Sequence, residues 1–210
     1  MFKETFNRLK AQQFRKPSGL LGLDAANFMR NNNRGYIARV CDILDIQDDD
    51  ILLEIGCGAG YAVKSIAGSN SLCRVDAIDF SALMLKRARK NVSRYIDSGR
   101  VRIFDGEFGA FGLFDTVYSK IFAINVIYFW DDLSPIFSKI FKLLKPGGHF
   151  VIFMSSPERL RARPFTADMV FNKYSITEVR AALLKVGFLT VMHETVEKEG
   201  FDTYYVEAQK

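Results

Sequence analysis

A glycine-rich segment that follows a short apolar run is the part of this sequence best suited to chemistry. Gly56, Gly58 and Gly60 stand at alternate positions, with Cys57 between the first two. A turn without Cβ atoms on one side lets a ligand lie directly against backbone N–H groups. Dinucleotide-binding turns follow G-x-G-x-x-G, and the third glycine of that pattern is replaced here by Tyr61. The spacing therefore argues against NAD or FAD as the ligand.

Acidic residues follow three successive predicted strands. Glu54 ends the first strand, Asp79 ends the second, and Glu107 follows the third, with Asp105 as a competing choice for the third acid. The carboxyl ends of parallel strands form one edge of a sheet, where ligands bind, and Asp79 is spaced to accept both hydroxyls of a ribose. The alternative is that exposed acids of this kind only solvate loops. Together they favour a nucleoside that lacks phosphates and has a cationic end.

The elements that must position these residues alternate along the chain. Strands are predicted at 51–55, 72–78, 101–104, 120–126, 149–154, 188–196 and 201–208. Helices are predicted at 1–14, 24–44, 61–67, 81–95, 133–144 and 175–186, with a loop at 14–23 and Asp24 as a helix cap. This order predicts an α/β fold with a mostly parallel sheet and helices on both faces. The last two strands lie close enough in sequence to form an antiparallel hairpin.

Several of these segments resemble a known family. Residues 52–60, which read LLEIGCGAG, resemble motif I of the class I S-adenosylmethionine-dependent methyltransferases. Residues 75–81 with Met84 and Leu85 resemble the family's second motif, and residues 143–148 resemble its LKPGG turn. The resemblance covers nearly the whole chain. It implies a Rossmann-like, seven-stranded methyltransferase fold with an antiparallel C-terminal strand.

The resemblance also implies roles for individual residues. The three glycines of the turn would flank the methionine portion of S-adenosylmethionine, and Asp79 would hold the ribose. Glu107, with its neighbour Phe108, would flank the adenine. The cofactor-binding residues expected on this basis are Glu54, Gly56, Cys57, Gly58, Gly60, Asp79, Phe80, Glu107, Phe108 and Asn125.

Two further stretches are similar to one bacterial subgroup of these enzymes. Residues 13–22 resemble its QFRKPSGLLG segment, and residues 125–130 resemble its NxIYFW motif. On this resemblance Asn125, Tyr128 and Trp130 would lie beside the transferable methyl group, and Asn125 and Tyr128 are the candidate catalytic residues. The alternative for Tyr128 and Trp130 is an aromatic cluster that packs the following helix.

No other residues in the sequence form an evident catalytic group. When a methyl group is transferred from a sulfonium, the leaving group is a neutral thioether. Positioning of the reactants and exclusion of water can therefore supply much of the catalysis. A general base is needed only where the acceptor must lose a proton. His149 and His193 are the only histidines, and each falls in a predicted strand, where a structural role is the simpler interpretation. No metal site is expected.

The positive charge of the chain is concentrated at its start. The net charge is +5, and residues 1–40 carry eight basic and two acidic side chains. Such an arm can attract nucleic acid, anionic lipid or an acidic substrate, or can simply be a solvated helical surface. Because residues 15–19 combine glycine, proline and basic residues, we expect a lid over the pocket. The predicted organisation is an N-terminal helical lid segment at 1–44 and a methyltransferase core at 45–210.

The cysteine content and the apolar segments of the chain bear on the cellular location of the protein. Cys41, Cys57 and Cys73 are odd in number and far apart, which favours reduced, mostly buried thiols. No apolar run approaches the ~20 residues that span a bilayer, and the start does not resemble a signal peptide. We therefore expect a cytoplasmic protein without a membrane span. We expect first of all a small-molecule acceptor. The sequence leaves open the methylation of RNA or protein bound by the basic arm, and it leaves open a non-catalytic module that binds S-adenosylmethionine. The oligomeric state stays open as well.

Overall fold

The structure, a computed structural model, describes residues 2–69, 72–112 and 115–210. Within the described residues the α-helices are α1 (Phe2–Arg15), α2 (Gly19–Leu44), α3 (Tyr61–Ser69), α4 (Ala82–Asn91), α5 (Ser93–Asp97), α6 (Leu133–Leu143), α7 (Pro157–Ala162) and α8 (Ile176–Val186). The strands are β1 (Ile51–Ile55), β2 (Arg74–Asp79), β3 (Val101–Asp105), β4 (Tyr118–Ile124), β5 (Leu144–Ser155), β6 (Thr190–Lys198) and β7 (Phe201–Gln209). From β1 onwards helices lie between most successive strands, as the sequence predicts, whereas within the described residues β4 follows β3 and β7 follows β6 without a helix between them.

The strands form one sheet in the order β3-β2-β1-β4-β5-β7-β6. The pairs from β3 to β5 are parallel, and β7 runs antiparallel to both β5 and β6. This confirms the predicted Rossmann-like, mostly parallel seven-stranded sheet with an antiparallel C-terminal strand. The chain runs outward from β1 to β3 and then returns to the other side of β1, so the topological switch point lies between β1 and β4.

Both faces of the sheet are buried under helices. Leu52 and Phe122 pack in one apolar cluster with residues of α2, α3, α4 and α5. The adjacent residues Leu53 and Ile121 point to the other face, into a cluster with α6 and α8. Because neither face meets water, these central strands are continuous apolar runs rather than alternating ones. Within the described part of the chain, no helix has the length and apolar character that a bilayer crossing needs.

The predicted loop at 14–23 and the predicted cap at Asp24 are wrong. Helix α1 continues to Arg15, and α2 already begins at Gly19, with Ser18 as its N-cap residue. Gly22 is not a helix breaker here. A Cβ on Gly22 would lie 2.8 Å from the carbonyl carbon of Pro17 and 2.9 Å from Leu83 Cδ2, so glycine is needed where α2 approaches its neighbours closely.

The predicted helix over 81–95 is interrupted. Ser81 caps α4 as predicted, since its hydroxyl accepts a hydrogen bond from the Met84 N–H at 3.3 Å. The helix ends at Asn91, because Val92 adopts φ −119° and ψ 15° while its side chain is fully buried in the core. Packing of this β-branched residue has overridden the helical pattern, and α5 continues as a separate short helix.

Boundaries at the ends of β4 and β5 also differ from the prediction. β4 ends at Ile124 rather than 126, because Asn125 takes a left-handed conformation with φ +59°. β5 begins at Leu144 rather than 149, since the glycine turn after α6 is drawn into the sheet and the Gly147 N–H donates to Lys210 O at 2.9 Å. Helix α7 was not predicted, although Ser156 followed by Pro157 is a common helix start.

Candidate functional site

The turn between β1 and α3 is built from left-handed backbone conformations. The φ angle is +71° at Gly56, +51° at Gly58 and +75° at Gly60, values that cost other residues roughly 1–2 kcal/mol each. The Gly56 N–H donates to Ile78 O at 2.8 Å, which ties the turn to the end of β2. A Cβ on Gly58 would meet nothing within 4 Å. The bare side of Gly58 therefore faces open space at the cavity wall.

The other two glycines allow close packing. A Cβ on Gly56 would lie 2.5 Å from Val126 Cγ2, beyond the end of β4. A Cβ on Gly60 would lie 3.2 Å from Ala88 Cα in helix α4. Gly56 lines the cavity, whereas Gly60 is not among its lining residues. Gly60 thus brings α3 against α4 and supports the turn from behind.

Asp79 links the end of β2 to the glycine turn. Its Oδ2 accepts a hydrogen bond from the Gly58 N–H, and its Oδ1 accepts one from the Ser81 N–H, both at 2.8 Å. Burial raises the pKa of this carboxyl group, against the lowering effect of its backbone donors. A carboxylate offers about four acceptor positions, so both oxygens can still accept hydrogen bonds from a ligand in the cavity that Asp79 lines.

One carboxyl oxygen of Glu54 is buried at this edge of the sheet without a hydrogen-bond partner among the described residues. Only 4% of the residue is exposed, and the oxygen in question is Oε2. Burial raises the pKa of this carboxyl group well above its usual range, and the neighbouring charge of Asp79 adds to the effect. A buried acid without a partner costs free energy. Glu54 lines the cavity, where a bound cation or hydrogen-bond donor would relieve that cost.

Asn125 and Tyr128 belong to a hydrogen-bonded chain beyond the end of β4. The Tyr128 hydroxyl donates to Asn125 Oδ1 at 3.1 Å, and Asn125 Nδ2 donates to Asn33 Oδ1 of helix α2 at 3.2 Å. The Ser155 N–H donates to the Tyr128 hydroxyl oxygen. Burial raises the pKa of Tyr128 to about 12. Tyr128 is therefore protonated at neutral pH and can orient a neighbour but not act as a base.

Three phenylalanine rings close the cavity on the side away from the sheet. Phe14 of α1 stacks on Phe165, which follows α7, with ring centroids 4.8 Å apart. Phe28 of α2 meets Phe14 edge-on at 5.4 Å. We call Phe14, Phe28 and Phe165 the aromatic cover. Because all three line the cavity, the N-terminal helices and the segment after β5 form its outer wall.

The structure brings most of the predicted site residues to this cavity. Those that line it are Glu54, Gly56, Cys57, Gly58, Asp79, Phe80, Asn125 and Tyr128. Cys57 is no reactive thiolate, since burial raises the pKa of its thiol well above the usual range. His149 contacts Glu207 across the β5–β7 pair at 2.7 Å and is not a lining residue.

Four predicted site residues lie apart from the cavity lining, namely Gly60, Glu107, Phe108 and Trp130. Glu107 is exposed beyond the end of β3. Phe108 is not at the cavity: its ring is buried in the core cluster that packs against α6, and its backbone oxygen accepts a hydrogen bond from Lys139 Nζ at 2.6 Å. The prediction that Phe108 flanks a ligand therefore disagrees with its packing. Trp130 is also buried in that cluster and does not line the cavity.

Several lining residues were missed from the sequence. Phe28, Asn33, Arg159, Phe165 and Phe171 all line the cavity. They come from α2, which the sequence assigned to the lid segment without naming these contacts, and from the segment after β5, which the sequence did not place at the site. One signal was available, since three arginines stand close together at 159–163 directly after a predicted strand end.

Comparison with known proteins agrees with this geometry. Residues 53–150 match the family described as methyltransferase domain. The chain is similar to the uncharacterized methyltransferase YdaC of Bacillus subtilis, with 30% identity over 139 residues that cover 66% of this chain and 74% of that protein. The chain belongs to the S-adenosylmethionine-dependent methyltransferases. It is an enzyme of that class, and S-adenosylmethionine is its cofactor.

More distant similarities concern larger proteins. A sterol 24-C-methyltransferase of Eremothecium gossypii is 27% identical over 161 residues, which cover 71% of this chain, and the chain spans 43% of that enzyme's length. The solved structure of Haemonchus contortus phosphoethanolamine N-methyltransferase 2 with phosphomonomethylethanolamine and S-adenosylhomocysteine has a TM-score of 0.72 and 16% identity. That match covers 84% of this chain and 52% of the other. It is a likeness of fold.

Proposed function

We propose that this enzyme transfers the methyl group of S-adenosylmethionine to a small-molecule acceptor held in the same cavity. The aromatic cover carries the proposal, because an acceptor must enter a space that is closed over by Phe14, Phe28 and Phe165. The cavity is lined by residues of the glycine turn, of α2 and of the segment after β5. A donor at the turn would leave the walls formed by α2 and by that segment to a second small molecule.

The residues at the sheet edge fit the donor. Glu54 has an unpartnered oxygen that would accept hydrogen bonds from the methionine ammonium group. Asp79 has acceptor positions left for the two ribose hydroxyls. The bare side of Gly58, with Gly56 and Cys57 next to it, would lie against the methionine portion.

The adenine end is the least defined part of the proposal. Phe80 lines the cavity directly after Asp79 and would border the base. Glu107 remains our candidate for the exocyclic amine, since it follows β3, the strand next to β2. The buried ring of Phe108 would fix the position of Glu107 rather than touch the base.

The chemistry asks little of the protein beyond positioning. S-adenosylmethionine supplies an electrophilic methyl group, whose bond to sulfur breaks as the bond to the acceptor forms and the electron pair stays on sulfur. Tyr128 would donate a hydrogen bond that orients its neighbours, and its pKa of about 12 keeps it protonated. Asn125 would hold the reacting ends in line. The aromatic cover would exclude water from the transfer.

The N-terminal segment at 1–44 would act as the lid, with residues 15–19 at its turn. Pro17 lies over the donor side, since its backbone oxygen accepts a hydrogen bond from the Ser81 hydroxyl at 2.7 Å. Lys16 lies over the Phe80 ring, 5.4 Å from its centroid, and Lys10 lies over Phe165 at 4.9 Å. These basic side chains thus serve local contacts, which favours a lid over an arm that binds RNA or protein. We also propose the QFRKPSGLLG-type bacterial subgroup and a cytoplasmic location, on the sequence grounds given above.

Calorimetry tests the donor part of this proposal. Wild type should bind both S-adenosylmethionine and S-adenosylhomocysteine. Asp79→Ala should bind each of them about 30- to 1,000-fold more weakly, because the loss of two hydrogen bonds to a charged group costs roughly 2–4 kcal/mol of binding free energy. Asp97→Ala, an exposed acid on α5, is the matched control. A screen of metabolite extracts with radiolabelled methyl donor then seeks the acceptor. Asp79→Ala binding as tightly as wild type would refute this seat for the ribose.

A further inference from the structure

A buried arginine stands in the cavity wall opposite the acids. Arg159 of helix α7 is 5% exposed and lines the cavity. Its Nη1 donates to Ser155 Oγ at 3.0 Å and to the Tyr36 hydroxyl at 3.4 Å. Buried arginine is rare unless it is paired, because taking a guanidinium out of water costs several kcal/mol. The group that compensates the charge of Arg159 therefore bears on the function of the cavity.

The contacts of Arg159 leave its charge incompletely compensated. Its Nε is buried without a hydrogen-bond partner in the described part of the chain. Its one carboxylate neighbour, Glu199, lies at 3.4 Å from Nη2, and the Glu199 side chain is 56% exposed. Glu199 also forms an ion pair with Arg163, a second arginine that lines the cavity. One solvent-exposed carboxylate thus serves two guanidinium groups.

The charged residues of the whole cavity wall also leave positive charge without a partner. The ionisable acids and bases among its lining residues are Glu54, Asp79, Arg15, Arg30, Arg159 and Arg163. Both acids lie on β1 and β2, beside the glycine turn where S-adenosylmethionine would bind, and we call this place the donor seat. The donor carries a sulfonium, an ammonium and a carboxylate group, so it brings a net positive charge there. Four arginines and a cationic donor would leave the rest of the cavity short of negative charge.

The position of Arg159 separates it from the donor seat. It follows β5, and β4 lies between β5 and β1 in the sheet. Neighbouring strands are about 4.8 Å apart, so the end of β5 is roughly 10 Å from the end of β1. Leu160 and Phe171 line the cavity next to it and form an apolar surface. The site therefore joins one anion-binding group to an apolar wall.

Building on the proposed function, we propose that the methyl acceptor is an amphiphilic small molecule with a carboxylate or phosphate group, and that Arg159 binds this anion. The Nε–H, which has no partner among the described residues, and an Nη–H together form a fork whose spacing matches two oxygens of such a group. The apolar part of the acceptor lies against Leu160, Phe171 and the aromatic cover. Arg163 adds positive charge at the cavity edge.

Calorimetry with simple probes tests this proposal in the presence of saturating S-adenosylhomocysteine, which blocks the donor seat. The probes are phenylacetate, phenyl phosphate and the neutral 2-phenylethanol. We expect wild type to bind at least one anion about tenfold or more tightly than the neutral probe, and the stronger anion identifies the carboxylate or phosphate class. Arg159→Met should lose that preference, whereas Arg161→Met, an exposed arginine of the same helix, should keep it.

The remaining outcomes also decide the matter. Equal binding of the neutral probe, failure of both anions to bind wild type at millimolar concentration, or an unchanged preference in Arg159→Met would overturn the proposal. So would an equal loss of S-adenosylhomocysteine affinity in Arg159→Met, because Arg159 would then hold the donor's carboxylate. If Arg159→Met does not fold, Arg159→Lys should weaken the binding of the two anions but not that of the neutral probe. Anion binding as tight as in wild type would contradict the proposal.

The proposed function and this proposal can fail separately. Wild type that does not bind S-adenosylhomocysteine refutes the donor seat, and the anion series measured without S-adenosylhomocysteine still tests the role of Arg159.

Discussion

The backbone N–H of Gly58 donates to the carboxylate of Asp79 at 2.8 Å. The acid that ends β2 thus fixes the turn that follows β1, and the same carboxylate faces the cavity. The shape of the turn therefore depends on the side chain of Asp79, and on the proposed binding mode recognition of the ribose would depend on it as well. A change at Asp79 should affect both stability and binding.

Asp79→Asn tests this double role. An amide has one oxygen acceptor in place of two, so either the Gly58 N–H or the Ser81 N–H will face an NH₂ group. We expect the free energy of unfolding to fall by about 1–3 kcal/mol, the cost of an unsatisfied buried group. Denaturant titration measures this loss, with Asp97→Asn as the exposed control. Stability equal to wild type would mean that these hydrogen bonds do not hold the turn.

The glycines of the turn should differ in what they tolerate. Gly58→Ala adds a Cβ in open space and should cost only the left-handed strain of roughly 1–2 kcal/mol, yet weaken donor binding. Gly56→Ala should cost more, because its Cβ would lie 2.5 Å from Val126 Cγ2. Adding Val126→Ala should restore part of the stability lost in Gly56→Ala. Thermal unfolding of wild type and the three variants measures these effects. Equal losses of stability for Gly56→Ala and Gly58→Ala would contradict the packing described.

The aromatic cover should control how fast ligands leave. Phe14→Ala removes the ring that contacts both Phe28 and Phe165, and covers of this kind commonly limit ligand release. We expect radiolabelled S-adenosylhomocysteine to dissociate about tenfold faster from Phe14→Ala than from wild type. Phe6→Ala on the same helix is the control, because Phe6 is 62% exposed. Unchanged dissociation from Phe14→Ala would rule out the cover as a barrier.

A buried ion pair near the start of β4 should make stability depend on pH. Lys120 Nζ lies 2.9 Å from Asp50 Oδ2 and donates to backbone oxygens at the end of α2. Although burial opposes it, hydrogen bonds from Ser119, Gln47 and Lys120 hold the pKa of Asp50 below its usual value. Lys120→Met should lower the free energy of unfolding at pH 7 by about 3–5 kcal/mol, because it removes the cationic partner of the buried Asp50 carboxylate.

The sign of the pH effect follows from the lowered pKa of Asp50. The stabilisation is complete above the usual aspartate pKa of about 3.9 and is lost as pH falls through the lower, folded-state value. The gap in stability between wild type and Lys120→Met should therefore narrow as pH falls from 7, because Asp50 takes up its proton at a higher pH in the folded variant than in folded wild type. Denaturant titrations across this range measure it, with the exposed Lys90→Met as control. A gap that does not change with pH would contradict the assignment.

The sequence was informative where local chemistry determined the structure. The apolar run at 51–55, the glycine turn and the acids at strand ends were sufficient to predict the sheet and its switch point, and most of the residues expected to bind the donor line one cavity. The Ser175–Glu178 capping box formed as predicted, and α8 begins directly after it. In each case a few neighbouring residues determine the backbone conformation, so the local sequence pattern predicts the structure.

Features that depend on distant contacts could not be predicted in this way. The break at Val92 follows from its burial between elements, and the early start of α2 follows from the approach of Gly22 to Pro17 and Leu83. Phe108 looked like a ligand contact but packs under α6. Arg159 joined the site only because β5 lies next to β4, a relationship that the order of residues does not state.

A crystal structure of the protein with S-adenosylhomocysteine tests the central claim most directly. The predicted result is a nucleoside at the turn of residues 56–60, with both ribose hydroxyls within hydrogen-bond distance of Asp79 and the ammonium group beside Glu54 Oε2. A nucleoside bound elsewhere, or a ribose that does not contact Asp79, would contradict the account.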